Sequence, residues 1–225
     1  MHLLDQNEIM VAQRDMFPGQ GLWPTSQIKP GAVIASHYTL NIPQTAYAPA
    51  ALTWEVGMYD FATRQRLPVS DSKDNVRFGD VELQAAQGPI PNPLNVNLGN
   101  QVGLIGYSLD RRAVSPSESI VLTLYWRARA QMPGDYTVFT HVLEAPETIW
   151  GHQDKALQPP TSSWTSGQVI SNTYDLKIKP ETPPGVYDVE VGVYDPQKNF
   201  ERLRVITDDG RITENYVLLS KVRVK

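Results

Sequence analysis

The chain has 225 residues, 41% of them hydrophobic and 20% charged, which fits one large or two small globular domains rather than a disordered protein. Its formal net charge of −4 gives no basic surface for nucleic acid, and the lack of cysteine excludes disulfides, thiolate metal sites and a cysteine nucleophile. It has no run of 18 apolar residues that could span a membrane, and no basic flank or apolar core of a signal peptide at its N-terminus.

The first part of the chain, residues 1–83, predicts a β-sandwich without its N-terminal strands. Leu52, Trp54, Val56 and Met58 alternate with other residues, and this period of two is typical of a strand with one buried face. Eighteen prolines and fifteen glycines also favour short strands joined by frequent turns. We therefore expect these four residues, including Trp54, to lie in a core.

A linker is predicted next, over residues 84–100. Its segment from residue 88 to 93 reads Gly-Pro-Ile-Pro-Asn-Pro. Proline cannot donate to a sheet, and closely spaced prolines favour a stiff, extended connection.

Residues 101–225 predict a complete β-sandwich. Ile120, Leu122, Leu124 and Trp126 form the apolar phase of one alternating strand, and about eight such strands are separated by turn signals. Tyr187, just after Gly185 at the start of a strand, is predicted to form a tyrosine corner. The fold class is thus all-β, with two tandem sandwiches of immunoglobulin-like or jelly-roll topology.

The two sandwiches are copies of one unit. Residues 2–5 match residues 141–144, and residues 52–60 end in the same Gly-x-Tyr-Asp as residues 185–195. Nothing in the first copy corresponds to residues 96–140, so its apolar face and strand edge are expected to be open. We expect the chain either to be part of a longer protein or to receive these strands from another chain.

Three motifs in the second copy resemble a known domain: Tyr136-x-Val138-Phe139-x-His141-Val142-Leu143, Pro160-Thr161-Ser162-x-Trp164-x-x-Gly167 and Pro183-Pro184-Gly185-x-Tyr187. They are similar to the β-sandwich that follows the membrane region in bacterial glycosyltransferases of the dolichyl-phosphate-mannose mannosyltransferase type, and to domains of related uncharacterised surface proteins. The resemblance implies an extracytoplasmic location, at the cell surface or in the periplasm, and an accessory role beside a membrane protein. That family's catalytic residues belong to the membrane region, so none is assigned here.

His141 and Asp154 are candidate ligand-binding residues, because His2 and Asp15 repeat them in the first copy. Together with Asp195 or Asp60, these imidazole and carboxylate groups could also bind a metal ion. Residues repeated in a duplicated fold are more often structural, and we favour a strand histidine bonded to the neighbouring aspartate. No metal is assigned.

Trp164 and Trp23 are candidate sugar-binding residues, because each lies in or beside a Ser/Thr-rich loop and an exposed indole can stack on a sugar ring. The alternative is that Trp164 fills the end of the sandwich, which we favour because Ile28 takes its place in the first copy.

No catalytic residue or cofactor is predicted, since the sequence contains neither Gly-x-Ser-x-Gly nor His-Glu-x-x-His. The acidic turns at residues 71–74 and 208–210 lack the spacing of a calcium loop. The predicted function is a non-catalytic extracytoplasmic module for protein–protein interaction or surface assembly. The alternative is a carbohydrate-binding accessory module of a membrane glycosyltransferase. The expected partner is an upstream membrane region or a second copy of the chain, bound at the open edge of the first sandwich, with a glycan as a further candidate.

Overall fold

The computed structural model describes residues 1–144 and 148–225, and it consists of β strands with two 3-10 helices at Thr25–Gln27 and Thr161–Ser163. The chain divides into two compact units. The first contains residues 1–43 and 49–84, and the second contains residues 44–48 and 85–225. The predicted all-β fold class is confirmed. No helix in the described part of the chain is long and apolar enough to cross a membrane.

The first unit is a single antiparallel sheet with the strand order β2-β1-β3-β4. Its strands are β1 (His2–Asp5), β2 (Met10–Gln13), β3 (Ala50–Gly57) and β4 (Asn75–Leu83). One side of this sheet carries a small core of Leu3, Ala12, Ala50 and Leu52.

The second unit is a sandwich of two sheets. One has the order β10-β9-β12-β15-β7, with β13 beside β12, and the other has the order β11-β8-β6-β5-β14. The strands are β5 (Pro93–Leu98), β6 (Val102–Leu109), β7 (Ala113–Val114), β8 (Ser119–Ala128), β9 (Thr137–Glu144), β10 (Thr148–Ala156), β11 (Val169–Lys177), β12 (Gly185–Asp195), β13 (Glu201–Arg202), β14 (Val205–Ile206) and β15 (Val217–Val224).

The core of the second unit lies between the two sheets, because one face of each sheet is apolar. Leu122, Leu124 and Trp126 on β8 and Val189 and Val191 on β12 are all fully buried there. This agrees with the alternation in the sequence, in which every second residue faces the core.

Strand register shows that the first unit repeats one sheet of the second. His2 lies opposite Glu55 between β1 and β3, as His141 lies opposite Glu190 between β9 and β12. The strands β2, β1, β3 and β4 therefore correspond to β10, β9, β12 and β15. The ladder also gives Asp15 and Asp154 equivalent places, because Gln13 lies opposite His2 as His152 lies opposite His141.

The first unit has no described counterpart of the second sheet. Residues 33–42, which match β11 in sequence, contain no strand. In the second unit β11 pairs along its whole length with β8. A strand needs a neighbour to satisfy its N–H and C=O groups, and the described residues of the first unit provide no equivalent of β8.

The lack of a second layer leaves the apolar side of β4 uncovered. On β15, Val217 is 9% exposed and its three inward-facing neighbours are more deeply buried, whereas Val76, Phe78 and Val81 on β4 are 48%, 48% and 38% exposed. The prediction that Leu52, Trp54, Val56 and Met58 all lie in a core is correspondingly wrong except for Leu52. The residues concerned are Trp54 and Val56, which are half-buried, and Met58, which is exposed.

The predicted linker over residues 84–100 is also incorrect, because β5 lies within it and pairs with β6. Pro93 occupies the first residue of this strand, a position that tolerates proline. Residues 44–48 also belong to the second unit: the Tyr47 hydroxyl donates to the carbonyl of Leu109 (3.0 Å), and the backbone N–H of Ala48 donates to the side chain of Asn92 (2.7 Å).

Tyr107 predicts how the stability of the second unit depends on pH. Burial raises the pKa of its hydroxyl to about 12, and that hydroxyl donates to the carbonyl of Thr45 at 2.7 Å. The unfolded chain ionises at Tyr107 near the ordinary pKa of ~10, whereas the folded chain keeps the hydroxyl protonated up to the higher value. The free energy of unfolding is therefore unaffected below pH ~10 and falls on the order of 2–3 kcal/mol as the pH rises to ~12.

This decrease can be measured by urea unfolding of the chain between about pH 8 and pH 12, from below the ordinary tyrosine pKa up to the folded-state value. The Tyr107→Phe variant cannot ionise at this position, so its free energy of unfolding should fall less steeply. Equal slopes for the two proteins would contradict the assignment.

Candidate functional site

Trp164 is completely buried, so it cannot present a face to a sugar ring. It follows the 3-10 helix at Thr161–Ser163, and its indole N–H donates to the carbonyl of Pro159 at 2.8 Å. The position agrees with the alternative in which Trp164 fills the end of the sandwich. Trp23 differs, because it is half exposed and lies against Gly19 in the first unit.

The sequence-predicted residues His141 and Asp154 lie on the outer face of the sheet, but they do not bond to each other. His141 Nδ1 lies 3.3 Å from a carboxylate oxygen of Glu190, and the hydroxyl of Tyr194 donates to Asp154 at 3.2 Å. The preferred interpretation, a histidine bonded to Asp154, is therefore wrong in the second unit. Glu190 lies directly opposite His141 in the ladder, and directly opposed side chains on one face are the closest neighbours in a sheet.

An open groove of about 750 Å³ lies along this face of the second unit. The groove contains carboxylate, imidazole, amide and ammonium groups beside one aliphatic side chain. Its lining residues are His141, Ile149, His152, Gln153, Asp154 and Lys179.

The first unit carries the same arrangement. His2 Nδ1 lies 3.4 Å from Glu55, His2 Nε2 lies 3.8 Å from Asp15, and the hydroxyl of Tyr59 donates to Asp15 at 3.5 Å. Here the predicted contact between histidine and aspartate is present. A groove of about 320 Å³ follows these groups, and its lining includes His2, Asp15, Tyr59, Arg64 and Met58.

The hairpin that follows the central strand also keeps its register. Tyr59 lies opposite Arg66 in the first unit, as Tyr194 lies opposite Arg202 in the second. Each repeated set thus comprises a histidine, a glutamate, an aspartate and a tyrosine. We call these two sets with their grooves groove one (His2, Glu55, Asp15, Tyr59) and groove two (His141, Glu190, Asp154, Tyr194).

The arginines beside the two glutamates differ. Glu55 is buried and lies 3.6 Å from Arg66 and 3.1 Å from Arg77, so two cations compensate its charge. In groove two, Arg202 instead lies 4.0 Å above the ring centroid of Phe139, a cation–π contact. That ring packs on Gly192, where an added Cβ atom would lie 2.3 Å from it.

Glu190 and Tyr194 were not singled out from the sequence, although a signal for them exists. The strands β3 and β12 share Glu-Val-Gly-x-Tyr-Asp, so comparing the copies position by position would have found both residues. The predicted tyrosine corner is confirmed, because the Tyr187 hydroxyl donates to the carbonyl of Pro183 at 2.6 Å. Within residues 1–144 and 148–225, no group of three or more His, Asp or Glu side chains has the geometry to hold a metal ion.

No protein-family model matches the chain, and no curated protein matches it. Among solved structures, the C-terminal domain of wzt matches with a TM-score of 0.40 and 8% identity, over 56% of this chain and 74% of that one. Spo0M, a sporulation control protein from Bacillus subtilis, matches with a TM-score of 0.25 and 13% identity, over 56% of this chain and 49% of that one. A β-glucosidase from Listeria innocua in complex with glucose matches with a TM-score of 0.27 and 12% identity, over 52% of this chain and 15% of that one. All three TM-scores lie below 0.5, so the sandwich assignment depends on the strand topology of the chain itself.

Proposed function

We propose that the chain is a non-catalytic interaction module whose first unit binds β strands of a partner chain on the uncovered apolar side of β4. The observation that carries this proposal is the exposure of Val76, Phe78 and Val81, whose counterparts on β15 are buried. We call these three residues, with Trp54 beside them, the β4 face.

The β4 face is a continuous apolar surface. Trp54 lies opposite Phe78, and Leu52 lies opposite Val81, so the exposed side chains of β4 continue the small core of the unit. Leaving a large apolar side chain in water costs roughly 1.5–3 kcal/mol relative to burying it. A partner that covers this face would recover part of that free energy.

The edge of β4 adds a second binding feature. In the second unit, β15 pairs with β7 on the side away from β12. Among the described residues β4 pairs only with β3. Unpaired N–H and C=O groups along a nine-residue edge can accept an added strand.

The second unit indicates the chemistry of the partner. There, the face that corresponds to the β4 face is covered by a sheet in which β8 contributes Leu122, Leu124 and Trp126. We therefore propose that the partner supplies a strand with the same alternation of large apolar residues. Residues 33–42 correspond to β11, so they are the segment that would pair with it.

A synthetic peptide of residues 117–130, which contains β8, provides a defined probe. It should bind the 225-residue chain and slow hydrogen–deuterium exchange of the amides in residues 33–42. Phe78→Lys should weaken binding at least tenfold, because the charge would enter the apolar contact. Ile212→Lys, at an exposed apolar position of the second unit, is the matched control and should bind normally.

Sedimentation of the chain alone identifies a second copy as the partner if the chain dimerises and Phe78→Lys abolishes the dimer. That result would support the proposal. A monomeric chain that neither binds the peptide nor shows protection of residues 33–42 would overturn it.

We further propose an extracytoplasmic location, at the cell surface or in the periplasm, with attachment to a membrane protein. The support is the similarity of the motifs at residues 136–143, 160–167 and 183–187 to the sandwich that follows the membrane region of mannosyltransferase-type enzymes. An accessory role beside a membrane protein is consistent with a module that binds a partner through the β4 face. Protease accessibility of the protein in intact cells would test the location.

A further inference from the structure

We propose that groove one and groove two are binding sites for a neutral, hydroxyl-rich saccharide. This inference is independent of the β4 face, because the two grooves lie on the outer side of each sheet. It also differs from sugar stacking on Trp164, which is buried.

The stability of the fold does not explain why both units have an exposed aspartate bonded to a tyrosine. Asp15 and Asp154 are exposed, and each accepts a hydrogen bond from a partly exposed tyrosine, Tyr59 or Tyr194. Hydrogen bonds and ion pairs at such exposed positions contribute little to folding. A fold-related requirement therefore accounts for the buried glutamate in groove one but not for the aspartate and tyrosine that both sets repeat.

The chemistry of the grooves fits saccharide hydroxyl groups, which both donate and accept hydrogen bonds. Carboxylates accept, imidazole and amide groups do both, and Lys179 or Arg64 donates. Each groove also has an aliphatic side chain, Ile149 or Met58, that can contact the apolar C–H face of a sugar ring. Carboxylates and cations are present together in each groove, which favours a neutral ligand over a strongly charged one.

In groove two the geometry assigns different roles to the members of the set, whereas in groove one Nε2 of His2 already lies 3.8 Å from Asp15. The Tyr194 hydroxyl bonds one carboxylate oxygen of Asp154, which leaves the other oxygen to accept a ligand hydroxyl. Glu190 contacts Nδ1 of His141, so Nε2 is the nitrogen that remains for a ligand. Glu190 and Tyr194 are thus positioning residues, and Asp154 and His141 are the contact residues.

Both grooves are open to solvent, with volumes of about 320 Å³ in the first unit and about 750 Å³ in the second.

The test is an array of neutral oligosaccharides built from glucose, mannose, galactose and N-acetylglucosamine, followed by calorimetric titration of the best binder. The 225-residue chain should bind with saturation at two sites. Asp154→Asn should remove groove two and lower the stoichiometry to one. Asp15→Asn combined with Asp154→Asn should weaken binding at least tenfold.

Asp208→Asn, an exposed carboxylate of the second unit outside both grooves, is the matched control and should bind like the original chain. Thermal unfolding of each variant should match the original, since both substituted aspartates are exposed. The proposal is overturned if no neutral oligosaccharide binds with saturation, or if the double variant binds as well as the control. Because Phe78→Lys leaves both grooves intact, it should retain saccharide binding whatever its effect on the β4 face.

Discussion

Replacing Trp126 with alanine is expected to lower the free energy of unfolding of the second unit by about 3–5 kcal/mol. Trp126 is fully buried on β8, with β6 on one side and β11 on the other. It lies opposite Leu104 on β6 and Ile170 on β11. Because strands pair with β8 on both sides, the backbone around the indole can relax only partially into the cavity that alanine would leave.

Trp54→Ala is the matched comparison, because both tryptophans occupy the apolar phase of an alternating strand. Trp54 is only half-buried on a single sheet. Its replacement should therefore cost about 1–2 kcal/mol, well below the core value. Calorimetry of the 225-residue chain can follow the two units separately if they unfold in distinct transitions. A loss below about 1 kcal/mol for Trp126→Ala would be typical of a surface residue and would show that the strand phase is wrong.

The second large effect is expected for Trp164→Ala, again about 3–5 kcal/mol. The indole is fully buried, and its N–H donates to the carbonyl of Pro159 at 2.8 Å. Alanine would remove both the packing of the ring and the hydrogen bond to the Pro159 carbonyl.

Trp164→Phe separates these two contributions, because phenylalanine keeps much of the ring volume but has no N–H. It should lose about 1–2 kcal/mol, most of it from the lost hydrogen bond. Denaturant unfolding of both variants measures the difference. If Trp164→Ala unfolds like the original chain, then the indole does not fill the end of the sandwich and its burial is wrong.

Variants that destabilise a unit cannot be used to test binding by that unit. Trp164→Ala weakens the unit that carries groove two, so any loss of saccharide binding in it would reflect unfolding. Asp154→Asn and Phe78→Lys change exposed side chains, which makes them the informative substitutions for groove two and for the β4 face.

The repeat and most of the strands could be predicted from the sequence. The alternation of apolar and polar residues on β8 and β12 is a local pattern. Because successive side chains of a strand point to opposite sides of the sheet, this pattern alone predicts one apolar face. The match of residues 2–5 to residues 141–144 placed equivalent strands without any knowledge of the fold. The expectation that the first unit lacks N-terminal strands also came from this comparison, and the described first unit is a single four-stranded sheet.

The composition of the grooves depends on cross-strand register, which no local pattern reports. Whether His141 meets Glu190 or Asp154 is decided by the residue that lies opposite it on β12. Similarly, the sequence does not predict β5, because the prolines in and before it favour a linker. The strand forms because it pairs with β6. Residues 44–48 join the second unit through Tyr47, a contact across 62 positions to Leu109 that sequence spacing does not indicate.

Burial shows most directly what the sequence by itself determined and what only the tertiary structure decided. Trp54 and Trp126 lie in the same phase of the same kind of strand, and the sequence determined that each would face the apolar side of its sheet. Only the presence of a second sheet decided that Trp126 is buried and that Trp54 is partly open. The physical reason is that alternation orients a side chain, whereas its removal from water requires a second layer about 10 Å away.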